Sequence, residues 1–83
     1  MTYLVKTNGE AHYRIYVLVN SQTVIADEFV GSTLYPVFVQ AGDQIEVHGY
    51  SETAFTVTLE NPYHPVETQT AQQILIIYTV PET

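Results

Sequence analysis

Glu46 and His48 stand two residues apart in the stretch VFVQAGDQIEVHGYS, residues 37–51. Side chains two apart on a strand share a face, so a carboxylate and an imidazole would project together. They are two candidate ligands of a metal site, which needs further converging groups. His12, which shares an outer face with Arg14, would supply one if the two strands were neighbours, and Asp43 lies near the turn. No ligand-spacing signature accompanies these residues. Polar side chains on a wetted outer face explain the same pattern, so neither metal nor cofactor is expected.

The nucleophiles are equally plain. Ser21, Ser32 and Ser51 all fall at expected turns, where serine is favoured for its hydrogen bonds to nearby backbone. No G-x-S-x-G elbow surrounds any of them. Asp27, Glu28 and Glu46 are carboxylates, but glycoside hydrolysis needs a pair about 5–9.5 Å apart across a cleft. A chain of 83 residues encloses little such space. There is no glycine-rich phosphate loop. No catalytic residue is expected, and the protein reads as a non-enzyme.

Binding chemistry is better represented. The chain holds seven tyrosines, and tyrosine combines a large rigid face with a polar tip, which suits interfaces. Tyr13 and Tyr78 read as core. Tyr16, Tyr35, Tyr50 and Tyr63 read as surface. Tyr63 and His64 sit between Pro62 and Pro65. Proline fixes φ and lowers the entropy lost on docking, so this loop could present Tyr63 and Val66 to a protein partner. A crossover loop folded on the edge of the domain explains it as well.

Composition narrows the partners. Two basic and nine acidic residues give a net charge of −7. Nucleic acid is disfavoured, because phosphate binding needs a basic patch, and so are anionic membranes. Charged residues are 13% of the chain against about 25% in typical soluble domains, which points to a partly covered surface. The absence of cysteine rules out disulfides and thiolate metal sites. The start, MTYLVKTNG, lacks the basic and apolar regions of a signal peptide. The longest apolar run, 74–78, is far short of the roughly 20 residues of a membrane helix.

The elements that must position these residues are strands. Val, Ile, Thr, Tyr and Phe dominate, and all suit strands. Seven are expected, at 2–7, 11–19, 22–30, 34–40, 44–50, 53–60 and 73–80, within one domain over 1–83. Asn8-Gly9 reads as a type I′ hairpin turn. Asn20-Ser21, Gly31-Ser32, Gly42-Asp43 and Ser51-Glu52 mark further turns. Residues 61–72 read as one long connection, as a Greek key or jelly roll requires. No internal repeat is visible. The expected fold is a small antiparallel β-sandwich, jelly-roll or Greek-key like, preferred over a five-stranded OB barrel. Its core would contain Tyr13, Ile15, Val17 and Val19, then Val37, Val39, Ile45 and Val47, then Phe55, Val57 and Leu59.

Three places break the alternation. Tyr16 and Leu18 fall on an outer face, as do Phe38 and Tyr50, and 74–78 is apolar on both faces. Either another chain covers these residues, or a bulge turns Phe38 inward, since a one-residue slip flips every side chain. The interface candidates are therefore Tyr16, Leu18, Phe38, Tyr50, Tyr63, Val66, Leu75 and Ile77.

From the strand near 11–19, through AGDQIEV (Ala41, Gly42, Asp43, Ile45, Val47), to the apolar last strand, the chain resembles small jelly-roll modules. As a whole it looks most like bacteriophage capsid accessory proteins, the decoration or cement proteins. The AGDxIxV turn recurs across β-sandwiches and carries no binding residues with it. The resemblance implies a virion component that self-associates as a dimer or trimer and stabilises a protein lattice. The alternative is a carbohydrate-binding module or adhesin-type β-sandwich. A glycan would then stack on Tyr16, Tyr50 or Tyr63, with Asp43, Gln44 and Glu46 bonding its hydroxyls. His12, His48 and His64, with unperturbed pKa values of about 6.5, would titrate in a useful range.

Overall fold

A computed structural model describes every residue except Tyr63 and Thr83. It holds four long strands, not seven: β1 (Thr2–Val19), β2 (Gln22–Phe38), β3 (Gln44–Asn61) and β4 (His64–Thr79). They form one antiparallel sheet in the order β2-β1-β3-β4. Among the described residues no pairing joins β2 to β4, so the sheet has two open edges. There is no helix among them, and so none long and apolar enough to cross a membrane.

Strands of this length cannot run straight. Eighteen residues of β1 would extend roughly 60 Å at about 3.3 Å each, yet the molecule is 38 Å along its longest axis. The link at 39–43 shows the same thing. Phe38 lies beside Thr2 at one end of β1, and Ile45 lies beside Val19 at the other. So short a link reaches only about 20 Å. The two ends of β1 must therefore be close, and the sheet folds across its middle. The rings of Tyr3 and Tyr78, from opposite ends of their strands, meet with centroids 5.7 Å apart.

Breaks in register mark the fold line. Between Gly9 and Tyr13 β1 advances further than β2, and between Tyr50 and Phe55 β3 advances further than β4. The extra residues let the inner strands turn the corner while the edge strands cut across it. Asn8-Gly9 is thus a bend and not a hairpin turn. Gly9 keeps a negative φ, and what demands glycine is space, since a Cβ there would meet Tyr13 Cδ1 at 2.8 Å. Gly49 has the same role under Phe55, where a Cβ would meet Cζ at 2.6 Å. Gly31-Ser32 and Ser51-Glu52 are also bends. Asn20-Ser21 is a true reversal, with φ of 50° and 66° at the two residues, the positive values that a two-residue hairpin loop needs. Residues 64–72, expected as part of a connection, are the first half of β4.

The concave side of the folded sheet is the core. Tyr13, Ile15, Val17, Val37, Val39, Ile45, Val47, Phe55, Val57 and Leu59 are all buried there, and Val19 packs against them. Tyr3, Val5, Ile25, Ile74, Ile76 and Val80 complete it. Tyr13 stacks on Phe55 at the fold line, with centroids 5.0 Å apart. Its hydroxyl donates to the Gly31 carbonyl at 2.7 Å. It therefore accepts from Thr7 Oγ1, also at 2.7 Å, and Thr33 Oγ1 in turn donates to Thr7.

The two hairpins repeat one another, although the sequence shows no repeat. Tyr3, Val5, Tyr13, Ile15 and Val17 of β1 have counterparts at a constant offset in Ile45, Val47, Phe55, Val57 and Leu59 of β3, all buried. Both hairpins slip register a second time just before their turn, at Val17/Leu18 and Leu59/Glu60. The β1–β3 seam obeys the same relation. Leu4 pairs with Glu60, and their counterparts Glu46 and Leu18 pair with each other. The chain is a pair of bent hairpins about an approximate two-fold axis.

Candidate functional site

Folding the sheet gives it two convex outer faces with different chemistry. One is built from the N-terminal halves of β1 and β4 and the C-terminal halves of β2 and β3. Its β3–β4 part is polar, with Thr56 bonded to Thr70 at 2.9 Å and Thr58 to Thr68 at 3.1 Å, while its β1–β2 part carries the exposed Leu34 and Phe38. Lys6 on this face meets Glu60 at 2.7 Å. Such cross-strand pairs stabilise a sheet locally.

The other face collects most of the sequence-expected interface residues. Its register places Tyr16 beside His48, and His48 beside Leu75. In the next row Leu18 lies beside Glu46, and Glu46 beside Ile77. In the row on the other side Arg14 lies beside Tyr50, and Tyr50 beside Gln73. Leu75 and Ile77 are 50% and 53% exposed, Tyr16 and Tyr50 are exposed, and Leu18 is half-buried. Three strands thus bring Tyr16, Leu18, Tyr50, Leu75 and Ile77 onto one surface. A shallow groove lined by His48, Tyr50, Gln73 and Leu75 crosses it.

Glu46 and His48 lie in the middle of this patch. The Glu46 Oε1 and His48 Nε2 are 3.2 Å apart, and the Glu46 side chain is only 19% exposed. The wider cluster does not assemble. His12 turns instead to Glu28, at 3.4 Å, which Arg14 also approaches at 3.7 Å. Among the described residues no three His, Cys, Asp or Glu side chains converge to hold a metal ion.

The remaining candidates fall elsewhere. Phe38, 76% exposed, stands at the end of β2, away from Tyr50. There it borders a cleft of about 430 Å³ with Val24, Tyr35 and Pro36, where the two ends of the folded β2 approach. Val24 carried no signal because its neighbour Ile25 takes the core position. Val66 is not on a presenting loop, for it lies in β4 and packs against the core. Tyr63 lies outside the described residues.

Asp43 is engaged within the fold. Asn20 Nδ2 donates to Asp43 Oδ1 at 3.0 Å, and the Gln40 N–H donates to Oδ2 at 2.8 Å. The Gln44 N–H donates to Asn20 Oδ1 at 2.9 Å. These bonds clip the β1–β2 turn to the 39–43 link. They favour the ionised carboxylate, so the Asn20 amide first, and the Gln40 N–H next, hold Asp43 below its ordinary pKa. The serines are similarly occupied: Ser51 Oγ donates to the His12 carbonyl at 2.9 Å, and Ser32 Oγ to Asn8 Oδ1 at 3.1 Å.

No family model, no curated protein and no solved structure matches this chain.

Proposed function

We propose that this is a non-enzymatic assembly protein that binds other protein subunits, its own copies first, through the face bearing Tyr16, Leu18, Tyr50, Leu75 and Ile77. One observation carries the reading. Across β3 and β4 the two outer faces of the sheet differ, one laddered with threonine and the other carrying Tyr50, Leu75 and Ile77. Solvation alone gives no reason for that difference, and contiguous apolar surface rimmed by polar residues marks interaction sites. Both cations stand beside glutamates, so a protein surface suits this face better than a polyanion.

Within this reading, the sheet folded over its own core works as a sandwich of minimal size. A capsid decoration or cement protein, bound on a virion lattice as a dimer or trimer, is the setting that the whole-chain resemblance favours. Repeated contacts of several hundred Å² at roughly 25 cal/mol per Å² would strengthen such a lattice, less the cost of ordering.

Light scattering across a concentration range tests the proposal. The wild type should form a discrete oligomer, and Ile77→Asp should give a folded monomer. A wild-type mass equal to the monomer at every concentration refutes self-assembly through this face. Phe38→Asp tests the separate β2 cleft and should leave the mass unchanged.

Tyr50 favours the second reading. Exposed and flanked by Arg14, His48 and Gln73, it has the makings of a stacking platform ringed by hydrogen-bonding groups, as a glycan site needs. Asp43 contributes nothing there, being held by Asn20 and Gln40. Glycan-array binding lost in Tyr50→Ala would favour this reading over the first.

A further inference from the structure

We infer that the free edge of β4, residues 73–79, is a strand-pairing site for the same edge of a second copy of the chain, and that the Gln69 side chain occupies it in the monomer. The inference rests on the assembly reading and specifies how the copies join.

The direction of the peptide groups follows from two independent contacts. The Val80 N–H donates to the Asp43 carbonyl, and the Val80 carbonyl accepts from the Gly42 N–H, both at 2.8 Å. Val80 therefore turns its peptide groups toward the β3 side. Along an antiparallel strand these groups alternate sides, so Thr79, Ile77 and Leu75 turn theirs to the open edge. Gln69 agrees. Its Nε2 donates to the Leu75 carbonyl at 2.8 Å, and its Oε1 accepts from the Leu75 N–H at 3.4 Å.

A carboxamide carries the donor and acceptor of a peptide. Bonded to both groups of one edge residue, Gln69 stands where the peptide of a neighbouring strand would stand. It reaches there because β4 folds between them, at the register break near Ala71 and Gln73.

Beyond Gln69 and Glu67, whose Oε2 accepts from Gln69 Nε2 at 2.6 Å, the edge is unguarded. Edge strands normally resist pairing with charges, proline or bulges. The stretch 73–79, QILIIYT, has neither charge nor proline. The other edge, β2, carries Asp27, Glu28, Pro36 and the positive-φ Gly31. Of the two edges, 73–79 is therefore the one more open to pairing.

Self-complementarity selects the occupant, because the outward peptide groups of Leu75, Ile77 and Thr79 are spaced evenly about Ile77. Copies carrying −7 each repel, and they can approach most closely along a charge-free segment. Antiparallel pairing centred on Ile77 sets Ile77 against its mate and Leu75 against Thr79 of the second copy. Each of these three pairs exchanges two backbone bonds, about six in all. The exposed Leu75 and Ile77 side chains cover one another on the outer face. The arrangement closes as a two-fold dimer, because what remains outside is the β2 edges and the first half of β4, which carries Pro65 and Glu67.

Sedimentation equilibrium and amide exchange on the full chain test this. The expected result is a dimer in which the Ile77 and Thr79 amides exchange more slowly as concentration rises. Gln69→Ala, by removing the competing amide from both copies, should tighten the dimer about 25-fold, the worth of one net hydrogen bond in each copy. Ile77→Pro removes an outward N–H without touching the β3 ladder and should weaken association at least about ten-fold. If that variant does not fold, wild-type exchange decides alone. A dimer whose Ile77 and Thr79 amides exchange at the monomer's rate overturns the edge pairing and leaves face-to-face assembly standing. A monomer at all concentrations overturns both.

Discussion

The Tyr13 hydroxyl is the clearest place to test the logic of the fold. Tyr13→Phe keeps the ring, its stack on Phe55 and its burial beneath the bend at Gly9. It removes one oxygen that donates to the Gly31 carbonyl and accepts from Thr7. Each such bond is worth a net ~0.5–1.5 kcal/mol, and a buried partner left unpaired costs ~1–3 kcal/mol. Thr7 is 5% exposed but keeps Thr33 as a partner, so its loss is partly made good. The sum is about 2 kcal/mol. For a domain of this size that lowers Tm by about 10 °C. The assay is urea unfolding with a thermal scan, and Tyr16→Phe, an exposed hydroxyl on the same strand, is the control. The control should stay within about 0.5 kcal/mol of wild type. A double-mutant cycle with Thr7→Val should show a coupling of ~1 kcal/mol. If Tyr13→Phe costs no more than the control, the hydroxyl chain does not brace the fold line and the reasoning fails.

Two predictions concern pH. Asp43 has a depressed pKa in the folded state, so its contribution is present above the usual carboxylate value of about 3.9 and fades as pH falls through the lower folded value. Urea midpoints from about pH 6 to pH 2 should show this acid loss in the wild type, and Asn20→Ala should flatten it. Tyr3 behaves oppositely. Burial, with the adjoining Tyr78 phenol adding to it, pushes its pKa from 10.0 up to about 12. Its contribution is therefore full below pH 10.0 and is lost as pH rises toward about 12. Tyr3→Phe should remove that alkaline loss, read from unfolding midpoints. Near neutrality it should cost little, because the Tyr3 hydroxyl has no hydrogen-bond partner among the described residues.

Much of the core was legible because burial on a strand has a period of two, which is a local property. Tyr13-Ile15-Val17 and Phe55-Val57-Leu59 announce their face without any neighbour. Residues 64–72 gave no such signal. They form half of an edge strand, where the inner face is only partly covered, and Thr68 and Thr70 look outward to solvent. Polar alternation of that kind resembles a loop. The candidate site was legible residue by residue, since Tyr16, Leu18, Tyr50, Leu75 and Ile77 each break a pattern. That they share a surface, and that Phe38 does not, depends on register across β1, β3 and β4.

The sequence by itself determined that the chain is all strand, which residues face inward on most strands, and where the backbone departs from a straight course. Asn8-Gly9, Gly31-Ser32 and Ser51-Glu52 are departures of that kind. Whether each departure reverses the chain or only bends it was decided by tertiary structure. A reversal pairs the two flanking segments with each other, whereas a bend leaves both paired to the same neighbouring strands. The difference lies in the register between residues far apart in sequence, such as Asn8 opposite Thr56 and Tyr13 opposite Ser51. The same long-range pairing makes four bent strands from seven apparent ones, relates the two hairpins by an approximate two-fold, and gathers five scattered apolar side chains onto one face.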